Sequence, residues 1–138
     1  MNYLVLDSSV TLAWIYGEET TEAVRQIFHT VAEYGAVVPS LWRLEVANSL
    51  TMAVRKRRVP LDFRDAALAD LALLDITTDQ QTDSQAWSDT LKIADLFQLT
   101  VYDAAYLELA RRRNLPLATL DQELRTAATT FAVKLVDS

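Results

Sequence analysis

The chain contains no cysteine and only one histidine, His29. Disulfides, thiolate catalysis and cysteine-based zinc or iron–sulfur sites are therefore excluded. A single histidine also rules out a two-histidine metal site and weakens any serine–histidine–aspartate arrangement. His29 itself, beside Phe28 on a predicted helix, reads as a surface or boundary residue. Only 2 glycines occur, which fits a helix-rich fold with short connections. There is no glycine-rich phosphate loop, so nucleotide-driven functions are set aside. No apolar run approaches the roughly 18 residues of a membrane span. The N-terminus has neither the basic region nor the cleavage pattern of a signal peptide and enters a strand at once, so the expected location is the cytosol.

What the chain does have is a hydrophobic fraction of 51% over 138 residues. That is enough for a single domain, 1–138, able to bury about two-thirds of the surface of its unfolded form. The formal net charge of −6 is unusual for a nucleic-acid binder, whose phosphate contacts come from a basic surface. Two runs run against it: Arg55-Lys56-Arg57-Arg58 and Arg111-Arg112-Arg113. Each closes a predicted helix, where cations meet the negative end of the helix dipole. Four cations in succession exceed that need, which leaves an RNA-facing patch as a second reading.

Apolar and turn signals alternate regularly. Leu4–Leu6 is continuously apolar and predicts a buried strand. A helix over Val10–Tyr16 follows, capped by Ser8 or Ser9 and ended by Gly17, then a second over Thr20–Tyr34. Ala36–Val38 predicts a strand stopped by Pro39, and Ser40 is a candidate cap for a long helix through Arg58. Val59-Pro60 breaks the chain before a helix over Leu61–Leu74. A weak strand signal surrounds Ile76-Thr77, and Asp83 can cap a helix running through Trp87, Leu91, Ala94 and Leu96. Val101–Arg113 is apolar almost all round and is placed at the protein centre. Pro116–Leu120 predicts a strand, Gln122–Ala128 a helix and Val133–Val136 a last strand. The three tryptophans, Trp14, Trp42 and Trp87, are expected in the core or a dimer interface. Alternating strands and helices predict a three-layer α/β/α domain with a mostly parallel central sheet.

Four acids stand in apolar surroundings within this pattern. Asp7 follows Tyr3-Leu4-Val5-Leu6 and Asp121 follows Leu117-Ala118-Thr119-Leu120. Glu45 lies in the long helix and Asp103 in the first turn of the central one. Carboxylates are almost never fully buried unless paired or bound to a metal. In open α/β sheets ligands bind beyond the carboxyl ends of the strands, where Asp7 and Asp121 would meet if their strands are neighbours. Each acid also has a plain structural role open to it. Asp121 is a good N-cap, Asp103 stands three residues after Thr100 as in a capping box, Asp7 can end a strand in a turn, and Glu45 can pair with Arg43.

Gathering such carboxylates is unfavourable without a counter-charge, which Mg²⁺ or Mn²⁺ would supply while keeping waters and leaving room for a phosphate. Ser9 and Thr119 can orient Asp7 and Asp121 or serve as local caps, and Asn48 lies one turn beyond Glu45.

Four segments, in order along nearly the whole chain, carry a family resemblance. They are Val5-Leu6-Asp7-Ser8-Ser9-Val10 with Leu12-Ala13-Trp14, and Val38-Pro39-Ser40-Leu41-Trp42-Arg43-Leu44-Glu45-Val46-Ala47-Asn48. The later two are Thr100-Val101-Tyr102-Asp103-Ala104-Ala105-Tyr106-Leu107-Glu108-Leu109-Ala110 and Leu115-Pro116-Leu117-Ala118-Thr119-Leu120-Asp121. The chain resembles PIN-domain proteins of the VapC type, the ribonuclease toxins of bacterial toxin–antitoxin pairs. The resemblance implies a PIN-like fold and a Mg²⁺- or Mn²⁺-dependent endoribonuclease acting on RNA, with Asp7, Glu45, Asp103 and Asp121 as its catalytic and metal-binding acids. It also implies a homodimer and a cognate antitoxin whose tail occludes the cleft. The family often has glycine before its last strand; this chain has Phe131-Ala132-Val133, so that turn is expected to differ.

Two other classes share parts of this pattern. An aspartyl phosphatase needs a second acid where Ser9 stands. A receiver domain needs an acidic pair near the first strand besides a late lysine such as Lys134. A PIN-like binding module without catalysis keeps the acids and differs only in activity.

Overall fold

A computed structural model describes residues 3–17 and 21–136. Its elements follow the predicted alternation. They are β1 (Val5–Leu6), α1 (Ser8–Tyr16), α2 (Glu22–Tyr34), β2 (Ala36–Val38), α3 (Trp42–Arg55) and α4 (Leu61–Leu71). Then come β3 (Ile76–Thr78), α5 (Thr82–Gln85), α6 (Asp89–Phe97), α7 (Val101–Arg113), β4 (Leu117–Ala118) and α8 (Gln122–Thr130).

The strands form one parallel sheet in the order β3-β2-β1-β4. Strand order reverses at β1, whose Val5 and Leu6 pair with Leu117 and Ala118 of β4. β1, β2 and β4 are fully buried, as their unbroken apolar runs require. Helices cover both faces. The helix α7 packs against β1 and β4 with α6 and α8 beside it, while α1 joins α2 and α3, and α3 joins α4. Every residue of α7 from Ala104 to Ala110 is buried, which is why that stretch shows no apolar stripe: it has no solvent face to leave polar.

Local signals set several boundaries. Thr21 caps α2 by accepting from the Val24 amide, and Thr100 caps α7 by accepting from the Asp103 amide. Gly17 ends α1 in the left-handed region, at φ 69°. Gly35 is needed for a different reason. Its φ is 85°, and a Cβ there would stand 2.7 Å from the Asp75 carbonyl oxygen.

The structure corrects other boundaries. Neither Ser8 nor Ser9 caps α1; both lie in its first turn and Asp7 is the N-cap residue, with its carboxylate turned elsewhere. Ser40 does not cap α3 but donates to Asp83 across the chain. The helix α3 stops at Arg55 because Arg57 takes a left-handed φ of 58°. Thr20 lies outside the described residues, and α4 ends at Leu71 rather than Leu74. The helix expected from Asp83 is broken into α5 and α6, and Trp87 in the break is 91% exposed, which removes the core from its two expected places and leaves the interface. The last strand is reduced to one bridge, Leu117 to Leu135. Ala132 before it adopts φ 60°, the left-handed conformation that a glycine would take there at lower cost.

Gly35→Ala is expected to destabilise the protein by about 2–4 kcal/mol, since it combines a left-handed backbone with a clash against main chain. The midpoint of urea unfolding reads this directly; an unchanged midpoint would contradict the geometry.

Candidate active site

The reversal of strand order opens a crevice at the carboxyl ends of β1 and β4, and Asp7 lies in it, 4% exposed. Its Oδ2 accepts from Ser9 Oγ at 2.6 Å and from Thr119 Oγ1 at 2.7 Å. Each hydroxyl is in turn held by main chain of the β4–α8 turn. Ser9 Oγ accepts from the Leu120 amide at 3.0 Å, and Thr119 Oγ1 from the Asp121 amide at 3.1 Å. The turn after β1 and the turn after β4 are thus tied together through one carboxylate. Of the two roles open to Ser9 and Thr119, both bond the Asp7 carboxylate, and Thr119 also serves as a local cap by accepting from the Asp121 amide. Behind it, Trp42 Nε1 donates to Thr11 Oγ1 at 3.1 Å, which bears on the Asp7 carbonyl.

Glu45, in the first turn of α3, reaches toward the same crevice. Its Oε1 accepts from the Tyr106 hydroxyl at 2.5 Å, the length of a charge-assisted bond. Ser8 lies by the same pair and favours the charged form of each. Asp103 opens α7 one turn before Tyr106. Asp121 does cap α8, its Oδ1 accepting from the Leu124 amide at 3.2 Å. The capping role and membership of the cluster coexist, because Asp121 also raises the proton affinity of Asp7 and Asp103 by charge. Asn48 is exposed and hydrogen-bonds none of these acids.

The electrostatics show how closely the acids feel one another. Burial pushes the Asp7 carboxyl up; its hydroxyl partners oppose that and Asp121 adds to it. Burial also raises Glu45, against the Tyr106 bond and with help from Asp7. Asp103 is raised to about 6, first by desolvation and then by Asp121, Asp7, Glu45 and Glu123. Asp79 makes the contrast. It too follows a strand, but burial is outweighed there by Arg112, which holds it below the usual carboxylate range. Arg112 Nη2 lies 2.6 Å from Asp79, and its Nε lies 2.8 Å from buried Glu108. No such cation meets Asp7, Glu45 or Asp103 among the described ion pairs.

An all-oxygen donor set of this kind fits Mg²⁺ or Mn²⁺ rather than a soft metal. Among the described residues no three acids already close into a cage.

Tyr106, Ser8 and Glu123 escaped the sequence reading. Tyr106 carried the clearest signal: a phenol in an apolar helix needs a partner, and it lies one turn after Asp103. The two basic runs part company. Arg111 stacks 3.8 Å from the centre of the Phe131 ring, Arg112 is clamped, and Arg113 lies over Tyr3, so the second run is structural. Arg55 to Arg58 are all exposed, at the end of α3 away from Glu45. His29 is exposed against Phe28, and Trp42 is in the core.

A PIN domain profile matches residues 4–129. The chain belongs to the PIN domain family. The fold is that of PAE2754 from Pyrobaculum aerophilum, with 26% identity, TM-score 0.67, and 92% of this chain and 79% of that one covered. A toxin–antitoxin complex from Klebsiella pneumoniae aligns at TM-score 0.57 and 13% identity, covering 86% of both chains. VapBC2 from Rickettsia felis, bound to a DNA fragment from their promoter, aligns at TM-score 0.61 and 13% identity, covering 90% of this chain and 92% of that one. No curated protein sequence matches the chain.

The raised Asp103 has a consequence for stability in this PIN domain. Its folded value of about 6 exceeds its unfolded value, so the native state holds the extra proton between the two. Stability therefore falls as pH rises through that window, and the penalty is complete above it. Asp103→Asn in metal-free buffer at pH 7.5 is expected to raise stability by about 1 kcal/mol, allowing for solvent screening at a half-exposed site. The gain should shrink as pH is lowered toward 4. Thermal melts across that range provide the check, and an equal or lower Tm at pH 7.5 would refute it.

Proposed function

We propose that this PIN domain is a Mg²⁺- or Mn²⁺-dependent endoribonuclease and the toxin of a toxin–antitoxin pair. One observation carries the reading: Asp7, Glu45, Asp103 and Asp121 approach one another beyond β1 and β4, and the side chains that hold Asp7 and Glu45 are hydroxyls, not cations. A fold that places acids at mutual cost, while it neutralises Asp79 with Arg112 nearby, keeps that negative charge for a ligand.

A bound divalent cation supplies charge neutralisation, Lewis acidity toward a phosphate and an acidified water. The chain's own residues hold and orient. Asp7 is fixed by Ser9 and Thr119, and Glu45 by Tyr106, so both carboxylates keep one geometry. Asp103 and Asp121, each at the start of a helix, complete the acidic rim. Hydrolysis adds water across one P–O bond, leaving a phosphate on one fragment and a hydroxyl on the other.

The toxin role draws support from the fold shared with the Klebsiella pneumoniae toxin–antitoxin complex and with VapBC2. A cognate antitoxin has an apolar surface to meet. A groove of about 520 Å³ between α1, α2 and α4 is lined by Trp14, Ile15, Phe28, Phe63, Leu71 and Leu73, the last 85% exposed. The reading includes a homodimer, for which exposed Trp87, Leu91 and Leu96 offer apolar contact. The work is cytoplasmic, and no helix among the described residues is long and apolar enough to cross a membrane. A non-catalytic binding module acting through a protein partner is the competing reading.

Cleavage of total cellular RNA separates them, run with Mg²⁺, with chelator and with Asp7→Asn. Discrete fragments should appear with Mg²⁺, vanish with chelator and fall at least about a hundredfold in the variant, whose fold is retained. Full Mg²⁺-dependent activity in Asp7→Asn would sink the assignment. Absence of cleavage in every sample would favour the binding module.

A further inference from the structure

The cations of this chain are unevenly committed. It has 13 lysines and arginines. Among the described residues, Arg25, Arg64 and Lys92 face acids, and Arg112 grips two. Arg111 and Arg113 lie over aromatic rings, and Arg125 donates to the Thr119 carbonyl. Arg43 and Lys134 stand singly. The run Arg55-Lys56-Arg57-Arg58 is different: four adjacent cations, all exposed, with no side-chain hydrogen bond, ion pair or ring contact among the described residues. Asp62 and Asp65 follow closely in sequence, but neither pairs with the run, and Asp65 faces Arg64.

The backbone adds a cost that a merely soluble surface does not require. The amides of Lys56, Arg57 and Arg58 close the end of α3 on the carbonyls of Met52, Val54 and Ala53. Arg57 holds the left-handed turn of that cap, at φ 58°, where glycine would stand at lower cost. The helix dipole accounts for a cation in the last turn, Arg55, but does not ask for three more past the helix end. Position gives the run a direction. The helix α3 carries Glu45 in its first turn and Arg55 at its last residue, about 15 Å further along the axis. Leu44, Asn48 and Arg55, at spacings of four and seven, are exposed on one face of the helix. That face starts beside the acidic crevice and ends at the cations.

We propose that residues 55–58 form a phosphate-binding anchor for RNA, holding the strand away from the cut while it lies along the exposed face of α3. This rests on the ribonuclease reading above. The protein carries a net charge of −6 and its crevice is acidic, so a polyanion meets repulsion there and needs a cationic foothold elsewhere. Guanidinium forks suit phosphodiester oxygens, which they can bind in pairs. Such contacts fix the register of a strand and read no bases. The anchor therefore contributes affinity, and the crevice contributes chemistry. An acidic protein segment would also meet cations, but the helix face shared with the crevice favours the substrate.

The test separates binding from cleavage. In buffer with chelator, a labelled single-stranded RNA of mixed sequence is titrated with full-length protein by fluorescence anisotropy over a range of salt. The native protein is compared with a fourfold variant carrying Arg55→Gln, Lys56→Gln, Arg57→Gly and Arg58→Gln. The variant should bind at least about tenfold more weakly at low salt. Its slope of log Kd against log salt should fall by about 2 to 3, the value for three or four lost phosphate contacts to a single strand. Arg57→Gly alone should weaken RNA binding without lowering the midpoint of urea unfolding, because glycine suits the left-handed turn. An unchanged Kd and slope in the fourfold variant would overturn the anchor, and the nuclease reading would stand on cleavage by the native protein. If the variant changes the sedimentation of the protein alone while RNA binding holds, the run joins copies of this chain and the anchor is refuted. A native protein that cleaves cellular RNA yet binds RNA without salt dependence refutes the anchor alone. One that neither binds this RNA at low salt nor cleaves cellular RNA overturns both readings.

Discussion

Four carboxylates cannot share a crevice cheaply, and much of this protein's architecture is the means of making them do so. Mutual repulsion and desolvation both oppose the arrangement, as the raised proton affinities of Asp7, Glu45 and Asp103 record. The fold answers with neutral donors. Serine, threonine and tyrosine hydroxyls stabilise the charged forms locally without cancelling the charge, whereas an arginine would do both. Where cancellation is wanted, the same fold supplies it: Arg112 bridges Asp79 and Glu108 and fastens the end of β3 to α7. Two ways of burying an acid thus stand side by side, one with the charge cancelled by a cation and one with hydroxyls that leave it uncancelled.

Much of this was legible in the sequence because local physics decided it. The apolar runs at Val5-Leu6 and Ala36–Val38 could only be buried strands, and Thr100, Gly17 and Asp121 marked helix ends by side-chain or backbone chemistry that acts within four residues. The four acids stood out because an acid amid apolar neighbours needs an explanation. What stayed hidden was decided across the chain. Ser40 looks like a cap, but its hydroxyl finds Asp83, 43 residues away. Ser9 looks like a cap, yet it is spent on Asp7 and Leu120. Tyr106 looked like one more apolar residue of α7 until its partner, 61 residues earlier, came into view.

Two failures have a different cause. The break between α5 and α6 interrupts a sequence with no proline or glycine, so no local breaker announces it, and Trp87 is left in solvent. The tail after α8 carries apolar residues enough for a strand, yet only Leu135 pairs, against Leu117 at the sheet edge. The absent glycine at Ala132 misled in the opposite sense. A change in residue type suggested a change in turn, but tertiary packing imposes the left-handed conformation on alanine regardless.

The tie between Asp7 and Thr119 spans 112 residues, and this bears on when the crevice can exist at all. A chain emerging from the ribosome makes Asp7 long before Thr119 and Asp121. Until β4 is made, β1 lacks one of its two neighbours and Asp7 lacks the hydroxyl that orients it. Contacts so distant in sequence form late, once the entropy of closing the intervening chain has been overcome. The arrangement of the acids is thereby deferred until β4 is in place: a chain that stops short of it, however well its early helices form, leaves Asp7 without its partner strand and its orienting hydroxyl.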